Sequence, residues 1–310
     1  MQDQRFNTQK SINALILDWI SELDIRPNSA RVYKNTLAGF VIWMTCNCVD
    51  RLSPKRYEIL KYKEYLINSG KSSLTVDLYL SCLSLFFKYL EKGGYYPNIA
   101  GQIKSTRKYK GHRKGHLTES EVKILLNSIP RDTVIGMRNF AIVNLMVRTG
   151  IRCVEVSRLN QIDIKSVDTS YILRLQRKGS IEINAEFGAT ARVVAPIFAY
   201  LNECAVLQPG PSLFSNHGSH RSQQRMTPNE IGRVVTNALK VAGLKRKDIT
   251  PHSLRHTAAV LAHKAGVGLL DISIMMGHSD ASTTLIYTSS AKDAILAANP
   301  AVAALDSIFD

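Results

Sequence analysis

Apolar residues recur at helical spacing through the first hundred residues of the chain. The four series are Ile12, Leu15, Ile16 and Ile20; Val32, Tyr33, Leu37, Phe40 and Trp43 behind a possible Ser29 cap; Leu60, Tyr65 and Leu66; and Val76, Leu80, Leu83, Phe86, Phe87 and Leu90. Spacings of three and four residues place side chains on one face of a helix. Four helices with short connections predict a small all-α domain over residues 1–100.

A second domain is predicted from Leu117 onward. Thr118 and Glu121 form a capping box, in which the Thr hydroxyl and the Glu carboxylate satisfy the first backbone N–H groups of a helix. The strongly apolar segment 138–147 predicts a further helix, and Gly150 ends it.

The remaining part of this domain contains both strand-like and helix-like sequence patterns. Short β-type segments are predicted near 171–175 and 192–195. A second capping box at Thr227 and Glu230 starts another helix, and Thr250 caps a helix that runs from Pro251 to about residue 265. The fold prediction is therefore mainly α, with a small β-sheet in the second domain.

The charge of the chain points to an anionic partner. Its 310 residues carry a formal net charge of +15, while 45% hydrophobic and 21% charged residues are ordinary for a globular protein. Such a chain attracts polyanions, of which nucleic acids are the commonest. A basic protein with no nucleic-acid role is the alternative.

The stretch between the two domains, residues 101–116, is strongly basic. No acidic residue occurs between Glu91 and Glu119, and the cations of the stretch and its vicinity are Lys104, Arg107, Lys108, Lys110, Arg113 and Lys114. They could form only a solvated linker. Between two domains of a basic protein, they could instead lie against DNA phosphates.

Cysteine usage and the N-terminus indicate an intracellular protein. The five cysteines include one Cys46-x-Cys48 pair, which lacks a second pair or nearby histidines for zinc. Reduced thiols are the simpler interpretation. The N-terminus has no signal-type cleavage region, and no apolar run approaches the roughly 18–20 residues that span a bilayer. We expect a soluble, cytoplasmic protein without a membrane partner.

Five polar residues carry the candidate chemistry. They stand in a Thr-Gly-Ile-Arg segment, a His-Ser-Leu-Arg-His segment, a Gly-His-Ser segment and a final tyrosine, and they are Arg152, His252, Arg255, His278 and Tyr287. Two guanidinium forks suit the non-bridging oxygens of a phosphodiester and its transition state. A phenol is mostly protonated at neutral pH and needs a base or a cationic pocket to become a nucleophile.

His252, Arg255 and His256 are spaced to share one face of their helix. The opposite face, predicted to be buried, carries Leu254, Ala258, Leu261 and Ala262. Two histidines on one face could bind zinc, but an arginine between them would repel the cation, so no metal site is predicted. The first turn of such a helix also favours anions through its N–H groups.

This series resembles the motif of the tyrosine recombinases of the phage integrase family, in order and approximate spacing and over essentially the whole chain. The resemblance implies a two-domain, C-shaped clamp: a helical, SAM-like core-binding domain (1–100), a basic linker (101–116) and a mixed catalytic domain with a C-terminal tail (117–310). Cleavage of a DNA strand would give a 3′-phosphotyrosine and a free 5′-hydroxyl, without metal or ATP.

Roles follow for the individual residues. Tyr287 is the predicted nucleophile, His252 the candidate base, and His278 the candidate hydrogen-bond donor to the phosphate. The resemblance implies a lysine that protonates the leaving 5′-oxygen, and Lys178 follows a predicted strand as that lysine would. Arg177 stands where the family often has glycine, so Arg177 remains the alternative for this position.

Two more residues are candidates for supporting roles. Glu155 lies one helical turn after Arg152 and could orient a side chain of the site, or could be a plain surface carboxylate. His256 follows Arg255 directly and is interpreted as a structural or supporting histidine.

The partners implied by the resemblance are double-stranded recombination sites, three further copies of the chain in a tetramer assembled on DNA with the tail as a contact, and accessory DNA-bending or directionality proteins. The expected setting is the bacterial nucleoid. The function predicted is integration, excision or resolution of a mobile element, through a Holliday junction. The alternatives are a catalytically silent DNA-binding relative and a resolvase or type IB topoisomerase-like nicking-closing enzyme.

Overall fold

The computed structural model of the chain describes residues 10–105, 115–177, 180–205, 211–217 and 224–277. The chain divides into two compact units, and the division falls between residues 110 and 111, inside the predicted linker. Each unit has its own hydrophobic core.

The first unit contains the four predicted helices, α1 (Ile12–Glu22), α2 (Pro27–Cys46), α3 (Arg56–Asn68) and α4 (Ser73–Lys92). Trp19 and Trp43 are buried in its core. The predicted face of α3 is partly wrong: Leu60 and Tyr65 are exposed, and Ile59 packs inward in their place. Apolar residues lie on more than one face of this helix, so periodicity alone does not choose the buried face.

Helix α4 corrects one expectation from the sequence. By length and composition it could cross a membrane, so the statement that no apolar run approaches this length is wrong. One face of the helix nevertheless lies in the core of the first unit, with Leu83, Phe87 and Leu90 among its buried residues. Leu74, Leu78 and Leu85, on the other side, are exposed. A buried core helix has the same length and composition.

The described part of the second unit has seven α-helices, a short 3₁₀ helix (Gln161–Asp163) and one three-stranded sheet. The helices are α5 (Glu119–Asn127), α6 (Val134–Thr149), α7 (Cys153–Arg158), α8 (Ala191–Ala205), α9 (Pro228–Val241), α10 (Pro251–Lys264) and α11 (Leu269–Met276). The strands are β1 (Ile164–Val167), β2 (Ser170–Leu175) and β3 (Ala185–Ala189). They pair antiparallel in the order β1-β2-β3, with Leu173 opposite both Ile164 and Phe187.

The predicted strand at 192–195 is wrong, because these residues lie in the first turns of α8. Two adjacent valines favour a strand locally. Val193, Val194, Ile197 and Tyr200 are all buried, however, and their helical spacing places them together on one face against the core. The strand that pairs with β2 on this side is instead β3, which comes before this segment, and β2 and β3 form a hairpin.

Helix α6 lies at the centre of the second unit and sets the position of the site. Its residues from Ala141 to Val147 are all buried, and α8 and α10 pack against it. Gly150 ends α6 in the left-handed conformation, with φ of 67°. A Cβ there would also displace the end of the Met276 side chain and lie tightly against Ala258, so the crowding adds to the conformational preference for glycine.

Candidate active site

Arg152 and Glu155 form a pair at the start of α7, directly after the turn at Gly150. Arg152 precedes the first helical residue, and its backbone N–H donates to Glu155 Oε2 at 2.7 Å. Its Nη1 donates to Glu155 Oε1 at 2.9 Å. The Glu155 side chain is fully buried while that of Arg152 is 25% exposed. The carboxylate therefore fixes both the backbone and the guanidinium of Arg152, which remains accessible to an anion.

Arg255 is more deeply buried than its predicted role suggests. It is 2% exposed, and its Nη1 donates to the carbonyl oxygen of Gly150 at 2.8 Å. Its Nη2 donates to the carbonyl of Met276 at the end of α11. The two predicted phosphate-binding arginines thus lie on either side of one short turn, since Gly150 is two residues before Arg152.

The two-faced pattern predicted for α10 is only partly confirmed. Leu254 and Ala258 are buried as expected, but Arg255 and His256 are buried as well, and every residue from Ser253 to Val260 is enclosed. Leu261 and Ala262 are only half-buried, and His252 is exposed. Arg255 lies inside the unit because backbone carbonyls accept its N–H groups, which offsets the loss of hydration.

His252 borders an open groove of about 650 Å³ that runs along α9 and meets the start of α10. Cys153, the neighbour of Arg152, lines the same groove. The exposed polar side chains of α9 that face it are Asn229, Arg233, Asn237 and Lys240. Sequence reasoning missed this row, although its spacing of three and four residues was visible in the sequence.

His256 is buried beside His116, with the two rings edge to face at 5.6 Å between centroids. Burial lowers the pKa of His116, Lys264 lowers it further, and Glu121 opposes the shift. Leu117 N–H donates to Thr257 Oγ1 at 2.9 Å, which joins the segment that contains His116 and Leu117 to α10. The interpretation of His256 as a structural or supporting histidine stays a prediction.

Arg177, two residues after the end of β2, also lies close to the site. Its Nη2 lies 3.4 Å from the carbonyl oxygen of Ile274 in α11. Glu155 and Arg152 both act on its pKa, in opposite directions, and burial lowers that pKa most. Arg152, Glu155, Arg177 and Arg255 therefore form one cluster around the ends of α6 and α11.

Several predicted residues lie outside the described part of the chain, namely Lys178, His278, Tyr287, Arg107, Lys108, Lys110, Arg113 and Lys114, together with the C-terminal tail. Lys104 is described and exposed, and its carbonyl oxygen accepts from Lys63 Nζ at 2.7 Å. Among the described residues, no group of three or more His, Cys, Asp or Glu is placed to hold a metal ion.

The model of the phage integrase family matches residues 116–294, more than half of the chain. The chain belongs to the phage integrase family. The matched residues include all five of the predicted polar series, Arg152, His252, Arg255, His278 and Tyr287. The family assignment inferred from that series is confirmed.

Relatives and solved structures of similar fold extend the match to nearly the full length of this phage integrase family member. A tyrosine recombinase XerD of Listeria monocytogenes is 30% identical over 291 residues, which cover 89% of this chain and 94% of the relative. A tyrosine recombinase XerC of Thermodesulfovibrio yellowstonii is 28% identical over 270 residues, which cover 84% of this chain and 85% of the relative. This phage integrase family member is thus a tyrosine recombinase.

The fold matches recombinase structures as well. The XerH site-specific recombinase in its post-cleavage complex with a palindromic difH substrate gives a TM-score of 0.73 at 20% identity, covering 87% of this chain and 79% of that one. The integrase of the transposon Tn1549 in complex with transposon right-end DNA gives 0.69 at 16% identity, covering 94% and 100%. The prediction of a mainly α recombinase fold with a small sheet is confirmed.

Replacing Glu155 with Ala should destabilise the catalytic unit of this integrase family member. The change leaves Arg152 and its backbone N–H without their acceptor. Removing one partner of a buried ion pair costs about 3–5 kcal/mol. We expect the free energy of unfolding to fall by about 2–3 kcal/mol, because water screens the partly exposed Arg152. Urea denaturation measures the loss.

The matched control is Glu119→Ala. Glu119 also pairs with a cation on its own helix, Lys123 Nζ at 2.7 Å, but both side chains are more than 70% exposed. Exposed pairs contribute roughly 0–1 kcal/mol. Equal small losses for the two variants would contradict a supporting role for Glu155.

Proposed function

We propose that this tyrosine recombinase is a site-specific DNA recombinase that cleaves and rejoins strands through a 3′-phosphotyrosine at Tyr287. The observation that carries the proposal is the joint fixation of Arg152 and Arg255. Arg255 donates to the carbonyl of Gly150, two residues before Arg152, and Glu155 holds Arg152 from the other side. The net charge of +15 adds attraction for DNA along the chain.

In the proposed mechanism, Arg152 and Arg255 bind the two non-bridging oxygens of the scissile phosphate. Their positive charges stabilise the extra negative charge of the pentacoordinate transition state. Holding them in advance matters, because donors that need no rearrangement stabilise a transition state most. A guanidinium carries five N–H groups, so the two carbonyl bonds of Arg255 do not by themselves exhaust its donors.

Proton transfers accompany the attack. The Tyr287 hydroxyl attacks phosphorus, its proton passes to His252, and a new P–O bond forms to the phenol oxygen. The bond to the 5′-oxygen breaks, and Lys178 donates the proton that converts this oxygen to a hydroxyl. His278 donates a hydrogen bond to the phosphate. Rejoining reverses these steps with a new 5′-hydroxyl, so the energy of the phosphodiester is conserved.

Finer points belong to the same proposal. Strand exchange takes place within a tetramer on DNA, through a Holliday junction, and the C-terminal tail contacts a neighbouring copy. The enzyme acts on DNA in the cytoplasm, at the nucleoid, and serves the integration, excision or resolution of a mobile element. Accessory DNA-bending or directionality proteins assist it, and the basic run that begins at Lys104 lies against DNA phosphates.

The test of recombination is strand exchange between two labelled DNA sites. Fragments from the flanks of the protein's own gene supply the candidate sites. We expect recombinant products and a four-way junction intermediate, formed in the presence of EDTA and without ATP. Relaxation of supercoiled DNA that lacks these sites, with no exchange, would support the nicking-closing alternative and contradict the proposal.

A further inference from the structure

Arg177 lies two residues after the end of β2, in the connection of the β2–β3 hairpin. The resemblance leads one to expect glycine at this position. The Arg177 guanidinium is half-buried and reaches across to α11, where Nη2 lies 3.4 Å from the carbonyl oxygen of Ile274. At this distance the bond is weak by geometry alone. The surroundings of the guanidinium decide whether it is held there.

Gly277 provides the space that the guanidinium fills. It ends α11 in the left-handed conformation, with φ of 58°. A Cβ atom built at this position would overlap Nη1, Cζ and Nε of Arg177. The arginine side chain thus packs directly onto the turn that ends α11, in contact with backbone that carries no side chain.

The backbone on which this side chain stands is fixed from both sides. The N–H of Arg177 donates to Asn184 Oδ1 at 3.0 Å. Its carbonyl oxygen accepts from Arg158 Nη1 at 3.2 Å. The base of the side chain is therefore tied to the other hairpin arm and to α7, which limits the positions open to the guanidinium.

The carbonyl end of α11 attracts a cation. The carbonyl end of a helix carries a partial negative charge. Two guanidiniums meet that end of α11, Arg177 at Ile274 and Arg255 at Met276. Burial lowers the pKa of Arg177, Glu155 opposes this shift, and the neighbouring Arg152 adds to it. The arginine belongs to the cluster that holds Arg152.

We propose that Arg177 is a positioning residue that joins the hairpin arm to the end of α11. The two joined ends lead directly into Lys178 and His278, the next residues of the chain. Through this continuity of the chain, Arg177 supports the proton donation proposed for Lys178 and the hydrogen bond proposed for His278. This inference rests on the proposed function for those two residues.

The chemistry gives Arg177 a distinct signature. A displaced proton donor slows loss of a 5′-alkoxide, which leaves poorly without a proton. Misplacement by about 1 Å can cost roughly 10²-fold in rate. A 5′-bridging sulfur changes this requirement, because a thiol has a pKa of about 8.5 and leaves as the thiolate. A donor-positioning defect should therefore vanish on a sulfur-bridged substrate.

The experiment compares wild type, Arg177→Ala, Arg177→Lys and Lys178→Ala on matched oxygen- and sulfur-bridged DNA. We expect Arg177→Ala to form adduct about 10–100-fold more slowly on the oxygen substrate and within about threefold of wild type on the sulfur substrate. Arg177→Lys, which keeps the charge, should be intermediate. Arg174→Ala is the control, since Arg174 lies on the same strand and instead approaches Asp163 at 3.4 Å. Its rates should match wild type.

Full activity of Arg177→Ala on the oxygen substrate, or equal loss on both substrates, would overturn the proposal. Hydrogen exchange of the DNA-free protein separates this inference from the proposed function. Arg177→Ala should speed amide exchange both in α11 and in β3, and Arg174→Ala should not change α11. Unchanged exchange in α11 for Arg177→Ala would overturn the joining role even if the wild-type enzyme recombines DNA as proposed.

Discussion

Replacing Tyr287 with Phe abolishes covalent attachment to DNA and leaves DNA binding intact. The change removes one oxygen, the proposed nucleophile, and keeps the ring. Without it no phosphotyrosine can form, so adduct formation should fall by at least about 10⁴-fold, as for the loss of other enzymatic nucleophiles. Adducts are measured as SDS-resistant bands on suicide DNA substrates.

Binding provides the internal control for this variant. Affinity for DNA depends mainly on cations that contact phosphates, and the net charge of +15 is unchanged. The dissociation constant should therefore stay within about threefold of wild type at fixed salt. A Tyr287→Phe variant that still forms adducts would show that a different residue attacks the phosphate.

Replacing Arg152 with Lys should reduce cleavage by roughly 10²–10³-fold. Lysine keeps the positive charge but loses the planar fork, which matches two phosphate oxygens at once. It also loses the fixed geometry of the Nη1 bond to Glu155. Because the charge is kept, DNA binding should change little, and the loss should appear in the rate of adduct formation at saturating DNA.

Arg148→Lys is the matched control for this variant. Arg148 lies four residues earlier, in the last turn of α6; it is exposed, and its Nε donates to Oδ1 of the buried Asn144 at 2.8 Å. Its replacement should leave the cleavage rate within about twofold. Equal rates for Arg152→Lys and wild type would show that a point charge suffices at this position.

Much of the fold could be predicted because its helices carry strong local signals. The capping boxes at Thr118 and Thr227 start helices α5 and α9 as predicted. Failures occurred where local preference and tertiary packing disagree. The valines at the start of α8 favour a strand locally, and only the core that they contact makes them helical.

The site shows the same division. A series of residue types in order can nominate Arg152 and Arg255 as candidate phosphate ligands, because phosphate chemistry restricts which side chains serve. It cannot show that Arg255 is buried against the carbonyls of Gly150 and Met276, since those contacts join segments far apart in sequence. The contact of Arg177 with the end of α11 was hidden for the same reason.

The most direct test of the account is to map the covalent adduct. Wild-type protein is incubated, in EDTA, with nicked duplexes drawn from DNA flanking its own gene, and the SDS-resistant product is digested and sequenced by mass spectrometry. The account predicts a DNA 3′-phosphate joined to the Tyr287 peptide. An adduct on another residue, or tight salt-sensitive binding to DNA without any adduct, would contradict it.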